Sequence, residues 1–321
     1  MTTLIGAPSA QQLEEAREVV KRFLRPTPSV VISIRGRDVY AKLDNFQVTG
    51  AFKVRGALAA LDAVRRADPS IGVITSSAGN HGLGISHAAS LLGVRATVVV
   101  PANASAVKVA KIQKYDVELI QFGSSYDEAQ AHARELSHSR GLHFVSPFNN
   151  PNVVAGQATS FDEFLDVFPD VEHVVVSVGG GGWISGVLVS RAANNREDIT
   201  ITGVQAENSA AMVHYLRGEE PGSVVHHPTI ADGLAGGVDP GSITNDIISS
   251  SGIKVVTIAE SSIRSAVREG VETNGLVMEG SAAASYGVIS EQLANDHSKM
   301  GILISGRNIA LDLLREILTE N

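Results

Sequence analysis

Cysteine is absent from this chain of 321 residues, which removes disulfides, thiolate metal sites and cysteine nucleophiles from consideration. Positive charge is scarce as well. With 26 Lys and Arg against 34 Asp and Glu, the formal charge is -8, which serves neither nucleic acid nor an anionic membrane as a main partner. No apolar run approaches the roughly 20 residues that cross a bilayer. The N-terminal MTTLIGAPSAQQLEEAREVVKRFL lacks a basic region followed by an apolar core and reads as an amphipathic helix, not a secretion signal. A cytoplasmic protein is expected. Hydrophobic residues make up 44% of the chain, enough for one large or two moderate cores.

What is present is an alternation. Short β-branched runs at 72–76, 95–101, 117–122, 142–147, 171–179, 199–206, 253–259 and 300–306 are mostly separated by helical patterns. Strands that are apolar throughout, joined by helices, imply parallel sheet covered on both faces, the doubly wound α/β class. The strands are too numerous for one small domain, so two α/β lobes with a cleft between them are expected. No linker, repeat or low-complexity tract interrupts the pattern; GEEPGSVVHHP at 218–228 is the clearest irregular stretch.

Ligands of such sheets bind beyond the carboxyl ends of the strands, and four turns there are unusual. In QVTGAFKVRGAL, Lys53 shares a helical stripe with Ala57, Ala60, Leu61 and Val64. An isolated lysine there would snorkel to water. With the helix starting at Thr49 or Gly50, burial and the adjacent helix N-terminus would instead favour the neutral, nucleophilic amine. In VSVGGGGWISGV, Gly179, Gly180, Gly181 and Gly182 lie between strand and helix, where converging amides suit a phosphate; a plain tight turn is the alternative, and the GxGxxG spacing fails at Ser185. In ITSSAGNHG, Ser76 to Gly79 form a turn before a helix opened by Asn80 and His81, a second amide-rich cradle suited to a carboxylate or merely a capped helix. In LISGRN, Ser305 offers a neutral hydroxyl at a strand end and Asn308 a helix cap. A poised lysine, a phosphate cradle, a carboxylate cradle and a neutral hydroxyl together suit pyridoxal 5'-phosphate.

TGAFKVRGA, SSAGNHG, VGGGGWISG, TIADG and SGRN, in this order, resemble the serine/threonine dehydratase and serine racemase family of fold type II pyridoxal-phosphate enzymes. The resemblance implies a large domain of 1–71 and 150–321 with a small inserted domain at 72–149. It implies that Lys53 holds the cofactor's aldehyde, Asn80 contacts its ring hydroxyl, Gly179 to Gly182 hold its phosphate and Ser305 meets its ring nitrogen. Ser77, Ala78, Gly79 and His81 would surround the substrate carboxylate. The implied activity is α,β-elimination of water from a β-hydroxy amino acid of the L-threonine or L-serine type, giving a 2-oxo acid and ammonia. The family assembles as dimers or tetramers, so a homodimer is expected.

Three departures refine this expectation. Ala78 stands where the family's racemases resemble a serine that protonates the opposite face, which favours elimination over racemisation. Gln205 and Ala211 stand where a divalent-cation site would place acids, so no metal is expected; adjacent His226 and His227 read as solvated. Arg307 replaces the second glycine of SGGN and could meet a second substrate carboxylate, as in 3-hydroxyaspartate, or simply face solvent. β-Replacement and a catalytically silent cofactor-binding protein are the further alternatives.

Overall fold

The computed structural model describes residues 4–220 and 224–320; residues 221–223 of the irregular stretch lie outside the described residues. By internal contacts the chain divides into two units, one of Pro26–Phe52 and the chain from Ser160 onward with the first few residues, the other of Pro8–Arg25 and Lys53–Thr159.

The larger unit is built on a six-stranded sheet. Its strands are β1 (Ser29–Ile34), β2 (Arg37–Leu43), β7 (His173–Ser177), β8 (Thr200–Ala206), β9 (Lys254–Ile258) and β10 (Met300–Ile304), in the order β1-β2-β10-β7-β8-β9. All neighbours are parallel except β1 and β2, which pair antiparallel. Sequence patterning misses this hairpin and its departure from a wholly parallel sheet. Its signal is the two-residue turn Arg35-Gly36, where both φ are positive, 52° and 75°, as a primed hairpin turn requires. The core packs Ile34, Val39, Ala41, Val175, Val204 and Ile302 against Ala282, Ala283 and Val288 of α11 (Gly280–Glu291).

The smaller unit holds the parallel sheet β5-β4-β3-β6, made of β3 (Val73–Ser76), β4 (Ala96–Val100), β5 (Glu118–Gln121) and β6 (His143–Phe144). The strict alternation of β4 covers both faces. Val98 and Val100 pack on Val109 and Ile112 of α4 (Ala106–Ile112), whereas Val99 and Ile74 pack on Ala129 and Ala133 of α5 (Tyr126–Arg140). The eight strands expected from patterning all form.

The smaller unit is drawn wider by contacts than the expected 72–149, because α1 (Ala10–Phe23), α2 (Lys53–Ala67) and the start of α6 (Pro151–Val167) group with this sheet. Small residues explain the grouping. A Cβ on Gly156 of α6 would lie 2.5 Å from the Arg55 carbonyl oxygen of α2, and one on Gly84 of α3 (Asn80–Leu92) would lie 3.1 Å from the Val54 nitrogen, so these helices approach almost backbone to backbone.

Candidate active site

In the smaller unit, α2 begins at Lys53 itself, not at Thr49 or Gly50. The turn before it is set by Gly50 at φ +75° and by the Thr49 hydroxyl, which donates to the Ala51 carbonyl. Lys53 is half-buried, and its Nζ donates to the Pro147 carbonyl at 3.2 Å. Ala57, Ala60 and Leu61, on the same stripe, are buried.

β3 delivers the chain to the turn at Ser77, whose N–H donates to the Val99 carbonyl and whose Oγ accepts from the Gly79 N–H at 3.2 Å. Gly79 is the N-cap of α3, and Asn80 opens it as the sequence implies. Ala78 packs its methyl against the cluster of Val98, Val100, Val109 and Ile112. His81 is buried; its Nε2 donates to the Val145 carbonyl at 3.3 Å, while Nδ1 has no partner among the described residues. Burial first, and the Lys53 charge second, bring its pKa down to about 3, so the imidazole is neutral. Its bare Nδ1 lone pair is left as a buried acceptor.

In the larger unit, β7 feeds the tetraglycine turn. Gly181 takes the left-handed conformation (φ +84°) and caps α7 (Gly182–Ala193); a side chain on Gly179 would stand 2.7 Å from the Gly233 carbonyl oxygen. Among the described residues, no protein acceptor takes the N–H groups of Gly179, Gly180, Gly181 or Gly182. Four unengaged amides at the positive end of a helix form an anion cradle. Trp183 follows, buried, with its ring stacked on Phe52 at 4.2 Å.

Ser305 closes β10, 3% exposed, and its hydroxyl has no partner among the described residues. Its neighbours are clamped: Glu279 donates its N–H to the Gly306 carbonyl at 3.0 Å, and its carboxylate accepts from the Asn308 N–H, also at 3.0 Å. Asn308 caps no helix, contrary to expectation; its amide donates to the Thr49 carbonyl and α12 (Leu311–Thr319) starts later. Arg307 is exposed with its guanidinium 5.4 Å from the Phe46 ring, and its N–H donates to the Gly50 carbonyl.

Sequence reasoning overlooked Glu279 and the Pro147 carbonyl. An acid placed directly before the apolar helix GSAAASYG is a signal for the first; a backbone carbonyl leaves none. Among the described residues, no three His, Asp or Glu gather as for a metal ion. Gln205 accepts from the Val213 N–H of α8 (Ala211–Leu216), and both His226 and His227 are exposed, with His226 beside the Ser209 hydroxyl at 2.7 Å.

A family model described as pyridoxal-phosphate dependent enzyme matches residues 20–306. The chain belongs to this family. Among its pyridoxal-phosphate enzyme relatives, the L-threonine ammonia-lyase of Thermotoga maritima is 35% identical over 314 residues, covering 97% of this chain and 78% of the relative. The structure of a pyridoxal 5'-phosphate-dependent aspartate racemase is similar at a TM-score of 0.87 and 30% identity, over 96% of this chain and 98% of that one. Serine racemase from Dictyostelium discoideum follows at 0.85 and 30%, over 94% and 98%. The residues present fit the pyridoxal-phosphate cofactor: the four free amides suit its phosphate, and the orphaned Ser305 hydroxyl suits a ring nitrogen.

Proposed function

We propose that the protein is an ammonia-lyase that eliminates water from a β-hydroxy amino acid of the L-threonine or L-serine type. The observation that carries the choice of elimination is Ala78, an apolar methyl seated on a valine and isoleucine cluster at the position where a racemase needs a second proton donor.

Pyridoxal phosphate, when bound, supplies an aldehyde for the substrate amine and a ring that withdraws electrons from the α-carbon. The amides of Gly179 to Gly182 would hold its phosphate, and Asn80 would hold its ring hydroxyl. Ser305, a neutral hydroxyl, would partner the ring nitrogen without fixing a full positive charge there. The turn Ser77 to Gly79 and the first amides of α3, that of His81 included, would hold the substrate carboxylate. Lys53 would hold the aldehyde, and its amine is the base for the proton on the substrate α-carbon. The β-hydroxyl departs as water, taking up the proton that Lys53 removed, and addition of one water to the resulting enamine releases the 2-oxo acid and ammonia. Residues 72–149, which lie within the smaller unit, would act as the inserted domain, and the enzyme works as a cytoplasmic homodimer; a sedimentation mass of one chain would remove the dimer.

The test is direct. Purified protein should be yellow and release 2-oxo acid from threonine or serine, and Lys53→Ala should lose the colour and at least roughly a thousandfold in rate. Colourless protein that takes up no cofactor would falsify the proposal.

A second reading, an acidic β-hydroxy amino acid, has support in Arg307. Its guanidinium is exposed, makes no ion pair among the described residues, and the aspartate racemase is among the similar structures.

A further inference from the structure

We propose that Thr244 is the positioning residue that sets the orientation of the tetraglycine turn. This rests on the reading that Gly179 to Gly182 hold the cofactor phosphate. Thr244 lies in the first turn of α9 (Ile243–Ser251) and is fully buried. Its hydroxyl donates to the Gly180 carbonyl at 2.8 Å and lies 2.8 Å from the Ser242 hydroxyl. Because the Thr244 proton is committed to Gly180, Ser242 must be the donor of the second bond, so the direction of the chain is fixed.

The consequence falls on the next amide. No peptide bond in the described chain is cis, and in a trans peptide the carbonyl and the following N–H point in opposite directions. Holding the Gly180 carbonyl on α9 therefore turns the Gly181 N–H away from α9, leaving it free to donate to an anion. The turn is also pressed onto the helix: a Cβ on Gly181 would lie 2.8 Å from Ile248 Cδ1 and 3.0 Å from Thr244 Cβ. If this peptide rotated, a carbonyl oxygen would face the phosphate in place of an amide. Glycine resists such rotation poorly, so the hydroxyl supplies a bias that the turn itself lacks.

The test compares Thr244→Val, Thr244→Ala and Thr244→Ser with the wild-type protein, each stripped of cofactor and titrated with pyridoxal 5'-phosphate and with pyridoxal, which lacks the phosphate. Trp183, the single tryptophan, directly follows the turn and reports occupancy through its fluorescence, and melting of each apoprotein gauges its fold. Thr244→Val and Thr244→Ala should bind pyridoxal 5'-phosphate about five- to tenfold more weakly, the effect of one lost hydrogen bond. Thr244→Ser should match wild type, and pyridoxal should bind all four alike. Undiminished affinity in both Val and Ala variants overturns the inference, as does an equal loss for pyridoxal, which would signal general damage. If the wild-type protein itself binds no pyridoxal 5'-phosphate, the reading of the glycine turn falls and takes the inference with it.

Discussion

The backbone N–H of Phe52 donates to the carbonyl oxygen of Ser305 at 3.0 Å. This bond ties the residue preceding Lys53 in the chain to the end of the strand that presents the Ser305 hydroxyl. The adjoining bridge between Ala51 and Gly306 and the bond from the Arg307 N–H to the Gly50 carbonyl repeat the attachment. TGAF and SGRN, some 250 residues apart, are thus laced together by main-chain bonds.

Such lacing leaves the Ser305 side chain free to act. Ser305→Ala removes a buried hydroxyl that has no hydrogen-bond partner among the described residues, so the apoprotein should melt close to wild type. If Ser305 partners the ring nitrogen as proposed, affinity for pyridoxal 5'-phosphate should fall roughly tenfold. Absorbance titration measures this; unchanged affinity would detach Ser305 from the ring.

Gly82 of α3 sits beneath the Ser77 carbonyl, where a Cβ would overlap the main chain. Gly82→Ala must push the Ser77 to Gly79 turn outward or distort α3. The expected cost is about 2–3 kcal/mol of stability, together with a higher KM for the amino acid. Urea unfolding and steady-state kinetics read the two effects, and a variant with wild-type values in both would show that the turn yields freely.

His81 gives a pH signature. Its folded pKa, brought down to about 3 from its ordinary 6.5, means that the unfolded chain takes up a proton between those values while the folded apoprotein does not. Stability from this group is therefore complete above pH 6.5 and declines as pH falls toward 3, by at most about 1.4 kcal/mol per pH unit. His81→Asn should lose that slope between pH 6.5 and 5 in urea unfolding of the apoprotein. An identical slope in both proteins would mean that His81 protonates freely in the fold.

Arg307 separates the two proposed substrate classes. Arg307→Gly should lower the rate on 3-hydroxyaspartate about tenfold relative to threonine, the effect of one lost charged hydrogen bond. If the ratio of the two rates stays constant, the guanidinium serves only its contact with Phe46.

Much of this protein is written locally. Alternating β-branched strands and helices determine the doubly wound class, because a strand apolar on both sides must be covered on both, and all eight patterned strands form. The glycines at 179–182, the SSAGN turn and the lysine after TGAF are legible because each depends on local backbone demands. Other features belong to the tertiary structure. The β1–β2 hairpin escaped because its pattern is half exposed, and Asn308 left its expected cap for Thr49, 259 residues away. Thr244 on Gly180, Glu279 on the SGRN turn and the bond from His81 to the Val145 carbonyl arise only when distant segments meet. The sequence supplies the reactive groups; the long-range hydrogen bonds decide which way those groups face.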